Sequence, residues 1–350
     1  METAKKGVRF GCFLPIPATP VEKLLKIAKA NEDAGFDSIW APDHLLFIPT
    51  GTVPEAWSTL AATAAITQRA LLGTCVSDPH RYHPAVLAQK VATVDRISGG
   101  RVILGIGAGE AMNLEPFGIN WKSPVSKLKE AITIMRRLWA GETVNFNGNF
   151  WKLRGAFLQI NPVRGAVPIY FGANSPRTLT LTGEMADGWL SVPLPPKLCE
   201  KRIKHIKEGA EKAGRSIDQI DLGVYLYTAV AEKAEEAYKR IEEIKFQIIP
   251  SPEILLEAGY NIELPEDLQS LSYFKAFPSD EWIEKFVRFG ELVPKEAAIE
   301  FSVVGSPEDC IERINEYVKA GIKHVLLINA GPDPRKALEL YAKEIIPHFR

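Results

Sequence analysis

Two hydrophobic periods take turns along this chain. A β-rich run from Val8 to Leu14 gives way, after Pro20, to a stretch from Val21 to Ala34 in which Leu24, Leu25, Ile27 and Ala28 share one helical face and Gly35 stops the helix. The exchange then recurs. Runs from Ser38 to Pro42, Leu71 to Ser77 and Val102 to Gly109 read as strands, followed by helices from Trp57 to Gln68, Pro84 to Ile97 and about Pro124 to Ala140. Further strands are expected over Pro168 to Asn174, Gly188 to Val192, Leu222 to Ala231 and His324 to Asn329, followed by helices from Arg177, Lys197, Ala234 and Pro334. Eight strands, each with its helix, predict an α/β protein built as a closed (β/α)8 TIM barrel, with its chemistry at the C-terminal strand ends. An open doubly wound sheet is the alternative, and it usually stops at fewer strands.

Two stretches break the rhythm. Near 144–160, Asn147-Gly148-Asn149 between β-prone runs predicts a hairpin inserted in the loop layer. Near 245–300, five prolines interrupt short helical pieces, including one from Asp280 to Leu292. That length suits an insertion over the barrel mouth better than a plain connection. Its aromatics Tyr260, Tyr273, Phe274 and Phe277 either shape a substrate pocket or only hold the insertion down. The whole span, 1–350, reads as one barrel domain with these two additions.

Composition narrows the class of partner. With 42 basic and 43 acidic residues the net charge is -1, which argues against a nucleic-acid or anionic-membrane binder. No apolar run is long enough for a membrane span. Four cysteines, none paired in a CxxC, suit a reducing cytoplasm rather than a disulfide framework or a zinc site.

Four loops at strand ends carry candidate chemistry. Asp43-His44 closes the second strand, where an acid beside an imidazole suits proton transfer; a capping Asp beside a surface His would look the same. Gly105-Ile106-Gly107-Ala108-Gly109-Glu110 ends the fourth strand. Its bare backbone can admit a flat ligand, or its glycines can simply relieve crowding. Cys75, ending the third strand ahead of Val76 and Asp78, is either a nucleophile or a small residue under a ligand ring. His80 and His83 lack the further ligands a metal would need, so none is expected. Asn174-Ser175-Pro176-Arg177-Thr178 opens a helix and either holds a phosphate or caps that helix.

Taken together, these loops resemble the bacterial luciferase-like superfamily, in its coenzyme F420-dependent branch. The resemblance rests on Leu72-Gly73-Thr74-Cys75-Val76, Arg81-Tyr82-His83-Pro84-Ala85-Val86, and Ser98-Gly99-Gly100-Arg101 running to Gly109-Glu110-Ala111-Met112-Asn113, and it covers nearly the whole chain. The last of these looks like F420-dependent alcohol and sugar-phosphate dehydrogenases. Phe117 to Gly141, Val167 to Gly188 and Glu300 to Gly305 look more like methylenetetrahydromethanopterin reductase.

The resemblance implies that Asp43, Cys75, Val76, Asp78, Ala108, Gly109, Asn113, Asn174, Ser175, Arg177 and Thr178 line a deazaflavin, with His44 and Glu110 handling a proton. It implies a non-prolyl cis peptide at Cys75–Val76 and a homodimer or higher homo-oligomer. Phe13 stands where the reductase carries Glu, Leu45 to Ile48 replaces a Trp of the dehydrogenases, and Pro195 and Phe301 stand where the sugar-phosphate enzyme grips phosphate.

Three readings follow. The first is an F420-dependent oxidoreductase of the methylenetetrahydromethanopterin reductase type, with an F420-dependent secondary alcohol dehydrogenase behind it. The second is an FMN-dependent luciferase-like monooxygenase, and the third a non-catalytic flavin-binding protein. A reduced pterin is the expected substrate, in a slot formed by Leu45, Leu46, Ile48 and the insertion's aromatics.

Overall fold

The computed structural model describes residues 7–15, 19–47 and 53–350. Its elements run β1 (Arg9–Phe13), α1 (Val21–Asp33), β2 (Ser38–Ala41), α2 (Ala56–Ile66), β3 (Leu71–Thr74), α3 (Pro84–Ser98), β4 (Val102–Gly107) and α4 (Pro124–Trp139). A hairpin, β5 (Val144–Asn147) and β6 (Lys152–Ala156), precedes β7 (Ile169–Gly172), α5 (Pro176–Met185), β8 (Gly188–Ser191), α6 (Pro196–Lys212), β9 (Asp221–Val230) and α7 (Ala234–Glu243). The insertion holds α8 (Lys245–Ile248), α9 (Pro252–Glu257), α10 (Asp280–Leu292) and α11 (Lys295–Glu300). The chain finishes with β10 (Ser302–Gly305), α12 (Pro307–Lys319), β11 (His324–Asn329) and α13 (Pro334–Leu340).

Eight parallel strands close on themselves in the order β1, β2, β3, β4, β7, β8, β9 and β11, with Phe10 of β1 opposite Val325 of β11. Every residue of β2, β4 and β8 is buried, as befits strands covered on both faces. Pro at the first helical position and a reciprocal Ser cap start α5 and α12.

A ninth strand was not predicted. Tyr227 and Thr228 of the long β9 pair with β11 on one edge and with β10 on the other. β10 therefore takes over the edge that β8 leaves after Val224, and α12 follows it. Four residues at the end of a Pro-broken segment give too little period to be read as a strand.

The hairpin does form, with Val144 opposite Ala156. Its Trp151 meets the ring of His83, in the loop after β3, with centroids 6.3 Å apart, and α4 holds its flank. Arg137 near the C-terminal end of α4 donates to the Asn145 carbonyl, while Glu130 accepts from the N–H groups of Asn149 and Phe150. The hairpin thus lies along the flank of α4, running back toward its N-terminus.

The lower interior of the barrel holds a buried polar chain. The Tyr170 hydroxyl donates to Asp221 Oδ2 at 2.7 Å, Arg9 pairs with the same oxygen, and His324 Nδ1 meets it at 3.1 Å. His324 Nε2 lies 2.8 Å from Ser38 Oγ, which accepts from the Trp40 indole at 2.7 Å. Arg9, Ser38, Asp221 and His324 open their strands, Tyr170 is second in its own, and Trp40 is third in β2. Among the described residues, no helix is long and apolar enough to cross a membrane.

Candidate active site

The C-terminal strand ends enclose a cavity of about 670 Å³. Phe13, Cys75, Val76, Gly107, Gly172, Leu190, Tyr225 and Tyr227 form its floor, and Phe246, Ile248, Tyr273 and Phe286 of the insertion cover it. That volume falls within the range of small-molecule sites.

The floor explains the glycines of β4. Beyond Thr74 the chain passes through a cis Cys75–Val76 peptide and rejoins the ladder at Ser77, whose N–H donates to the Gly105 carbonyl at 2.9 Å. A Cβ on Gly105 would lie 1.8 Å from the Thr74 carbonyl oxygen, and one on Gly107 would lie 2.9 Å from a Val76 methyl. These two glycines make room for the bulged end of β3. Relief of crowding is therefore their first role, although Gly107 also faces the cavity.

On the wall, His44 Nε2 lies 3.8 Å from Glu110 Oε2. Asn113 holds the pair in place. Its Oδ1 accepts from the N–H groups of Leu45 at 2.7 Å and Leu46 at 3.1 Å. Its Nδ2 lies 3.3 Å from His44 Nδ1 and 3.4 Å from Glu110 Oε2. Phe47 stacks on His44 with centroids 5.8 Å apart.

Asp43 also lines the cavity, but its oxygens are occupied. Oδ1 accepts from Arg81 at 3.0 Å and from the Tyr82 hydroxyl at 3.2 Å, and Oδ2 accepts from Ser77 at 2.5 Å. Arg81 also donates to Asp78 Oδ2 at 2.5 Å. Burial raises the Asp43 pKa; Arg81 and the Ser77 hydroxyl oppose this, and Asp78 adds to it. Arg81 lay unassigned within a quoted motif, yet it binds both acids. No spacing rule announces it, because the two partners come from different loops.

Burial, reinforced by Glu110, pushes the Cys75 thiol well above its usual range. That disfavours a thiolate nucleophile and suits a small residue beneath a ring. Val76, Asp78, Ala108, Gly109, Asn174, Ser175 and Thr178 line the cavity as well. Ser175 and Thr178 make the reciprocal cap of α5.

Arg177 is not among the residues that line the cavity. At the second position of α5 its side chain projects to solvent, while Thr178 turns inward. Pro195 and Phe301 do not line the cavity either, and Phe301 is fully buried. Of the insertion's aromatics, Tyr273 and Phe274 reach the cavity, Phe277 is exposed, and Tyr260 donates to Glu300. Ile48 lies outside the described residues. No metal-holding cluster occurs among the described residues.

A flat heterocycle fits these surroundings. The floor offers Val76 and Cys75 as an apolar base, and Asn174 Oδ1 is buried there with no hydrogen-bond partner among the described residues. An orphaned acceptor at that place suits a ring N–H such as the one on a deazaflavin's pyrimidine edge.

Fold and site together define a (β/α)8 barrel with a covered, mostly apolar cavity and an acid–imidazole pair on its wall. The model of the luciferase-like monooxygenases matches residues 8–324, and the chain belongs to that family. It is 34% identical over 350 residues to 5,10-methylenetetrahydromethanopterin reductase of Archaeoglobus fulgidus, covering 99% of this chain and 100% of the relative. It is 31% identical to an F420-dependent glucose-6-phosphate dehydrogenase of Nakamurella multipartita, over 98% and 97% of the two chains. Among solved structures, the F420-dependent tetrahydromethanopterin reductase of Methanopyrus kandleri superposes with a TM-score of 0.82 at 30% identity, over 98% of this chain and 100% of that one. An F420-dependent secondary alcohol dehydrogenase, with an F420–acetone adduct, gives 0.82 at 27% identity over 98% and 99%.

Proposed function

We propose that this chain is a coenzyme F420-dependent oxidoreductase that moves a hydride between the deazaflavin and a substrate carbon, in the manner of methylenetetrahydromethanopterin reductase. One observation carries the reading. His44 and Glu110 face a covered apolar cavity with room for a further partner, whereas Asp43 and Asp78 beside them are tied to Arg81. Full-length kinship to F420-dependent enzymes supports the choice of cofactor.

A bound deazaflavin supplies two electrons as a hydride; the chain's own residues do the rest. Val76 and Cys75 would form the base for the ring, and Asn174 Oδ1 would accept a hydrogen bond from its N–H edge. Asn113 orients His44 and Glu110, between which a proton is held at Glu110 Oε2 and moved to or from the substrate. Phe13, on the floor against Tyr225, carries no proton and offers a ligand only its ring. The insertion excludes water from the reacting atoms.

The same reading takes the enzyme to be a cytoplasmic homo-oligomer, which gel filtration of the purified protein tests. A mixture with reduced F420 and, separately, reduced FMN tests the cofactor through the visible spectrum of what the protein retains. Methylene-tetrahydromethanopterin with reduced F420 should turn over. Oxidised F420 with isopropanol is the parallel arm, motivated by the equal superposition on the alcohol dehydrogenase. Turnover with isopropanol alone would replace the pterin by an alcohol. Retention of FMN with oxygen-dependent turnover would sink the F420 reading.

A further inference from the structure

Tyr273 belongs to a short turn, Tyr273–Lys275, that packs against the turn Ala111–Asn113 just after Glu110. Its main-chain N–H donates to the Pro250 carbonyl at 3.0 Å. Its ring meets Phe47 with centroids 6.0 Å apart and Phe286 at 6.2 Å. These contacts fix where the ring can point.

The ring lines the cavity, and its hydroxyl is shut off from solvent with no hydrogen-bond partner among the described residues. Buried hydroxyls are almost always bonded, so an orphan beside a ligand cavity marks a bond that a ligand completes. Burial, reinforced by Glu110, Tyr225 and Tyr227, pushes its pKa well above the ordinary tyrosine value. It stays protonated and acts as a donor. Asn174 Oδ1, the other orphan facing the cavity, can only accept. The two therefore serve different ligand edges.

We infer that the Tyr273 hydroxyl donates a hydrogen bond to the substrate nitrogen or oxygen adjoining the carbon that takes the hydride. This makes Tyr273 a catalytic residue contributed by the insertion, and it rests on the hydride transfer proposed above. In that step a C–H bond forms at the substrate carbon with two electrons from reduced deazaflavin as co-reactant. The carbon–heteroatom bonding pair moves onto the heteroatom, and the Glu110–His44 pair delivers the proton that neutralises it. Tyr273 stabilises the charge that builds there without losing its own proton. Substrates lacking a lone-pair heteroatom beside the reacting carbon are disfavoured accordingly.

The test is Tyr273→Phe, which keeps the ring and its stacking. Oxidised F420 binding is followed by the cofactor's own fluorescence, and methylene-tetrahydromethanopterin binding by quenching of tryptophan fluorescence in cofactor-free protein. The variant should bind F420 like the parent, bind the pterin roughly tenfold more weakly and lose kcat on the order of 10²-fold. Parent values of both kcat and pterin affinity in the variant would overturn the inference. Failure of the parent protein to bind either compound would overturn the proposed function and this inference with it. That failure is visible before any variant is made.

Discussion

The two ends of the barrel each bury an aspartate, and the two acids are treated in opposite ways. At the lower end, burial works against the charge of Asp221, but the bond and charge of His324, with Arg9 and the Tyr170 hydroxyl, outweigh it and hold its carboxyl well below the usual range. At the upper end burial wins: Asp43 is raised despite Arg81 and Ser77, with Asp78 adding repulsion. The lower acid is enclosed by strand starts, whereas the upper one borders the cavity. An interior that only holds the barrel together can surround its acid with donors. Those donors all converge on Asp221 Oδ2, while Oδ1 has no partner among the described residues; beside the cavity the orphans are instead Asn174 Oδ1 and the Tyr273 hydroxyl, on residues that line a space a ligand can enter.

If that division holds, variants at the top should remove function while sparing stability. Glu110→Gln and His44→Ala should each lower turnover by roughly 10²–10⁴-fold, the usual worth of a positioned acid or base, with an unchanged melting temperature. Parent turnover in both would show that the pair does no chemistry. The bottom should behave in the reverse sense. Asp221→Asn leaves Arg9 and His324 facing a neutral group, and a broken buried pair of this kind costs about 3 kcal/mol. Urea unfolding should show that loss while kcat, measured where the variant is folded, stays near the parent value. A falling kcat in folded variant would erase the contrast.

Gly107→Ala probes the boundary between the two regions. Its new methyl would press on Val76 from 2.9 Å, so the floor must yield. Overpacking of this sort costs about 1–3 kcal/mol. F420 affinity should fall along with stability, since the displaced Val76 is the proposed base for the ring. A loss of stability with full F420 affinity would assign Val76 to the core alone.

The barrel was legible because parallel strands covered on both faces leave continuous apolar runs, and six of the eight predicted helices, all but those from Trp57 and Ala234, were announced by Pro, Ser or Gly at their ends. β10 escaped because four buried residues carry no period of their own; α12 did carry signals, Ser306-Pro307 at its start and Cys310, Ile314 and Tyr317 on one face, but without a recognised strand before it the eight-unit count had no place for it. At the site, His44 and Glu110 could be picked out because each follows a strand end, whereas Asn113 came from the resemblance alone. Of the pair Arg177 and Thr178, only Thr178 lines the cavity, a difference of one helical position that spacing alone does not resolve. Arg81 carried no role of its own, and Tyr273 stood only as one of the insertion's aromatics. Their roles depend on neighbours brought from distant loops: Asp43 for one, Phe47 and Asn113's turn for the other.

The smallest expected effect is also the most direct reading of the contrast between the two acids. A carboxyl depressed in the folded state, as Asp221 is, contributes stability that is fully present above the unfolded value of about 3.9 and is lost as pH falls below it. A carboxyl raised in the folded state, as Asp43 is, does the opposite: the fold takes up its proton first, so acidification from about pH 7 toward about pH 4 relieves a cost. Urea midpoints of the parent, Asp221→Asn and Asp43→Asn across that range separate the two. The gap between parent and Asp221→Asn should stay constant down to about pH 4 and close below it. Over the higher window the parent should gain on Asp43→Asn as pH falls. Gaps that move in the same direction over the same window would mean that both ends treat their acids alike, and the division of labour between them would have no electrostatic basis.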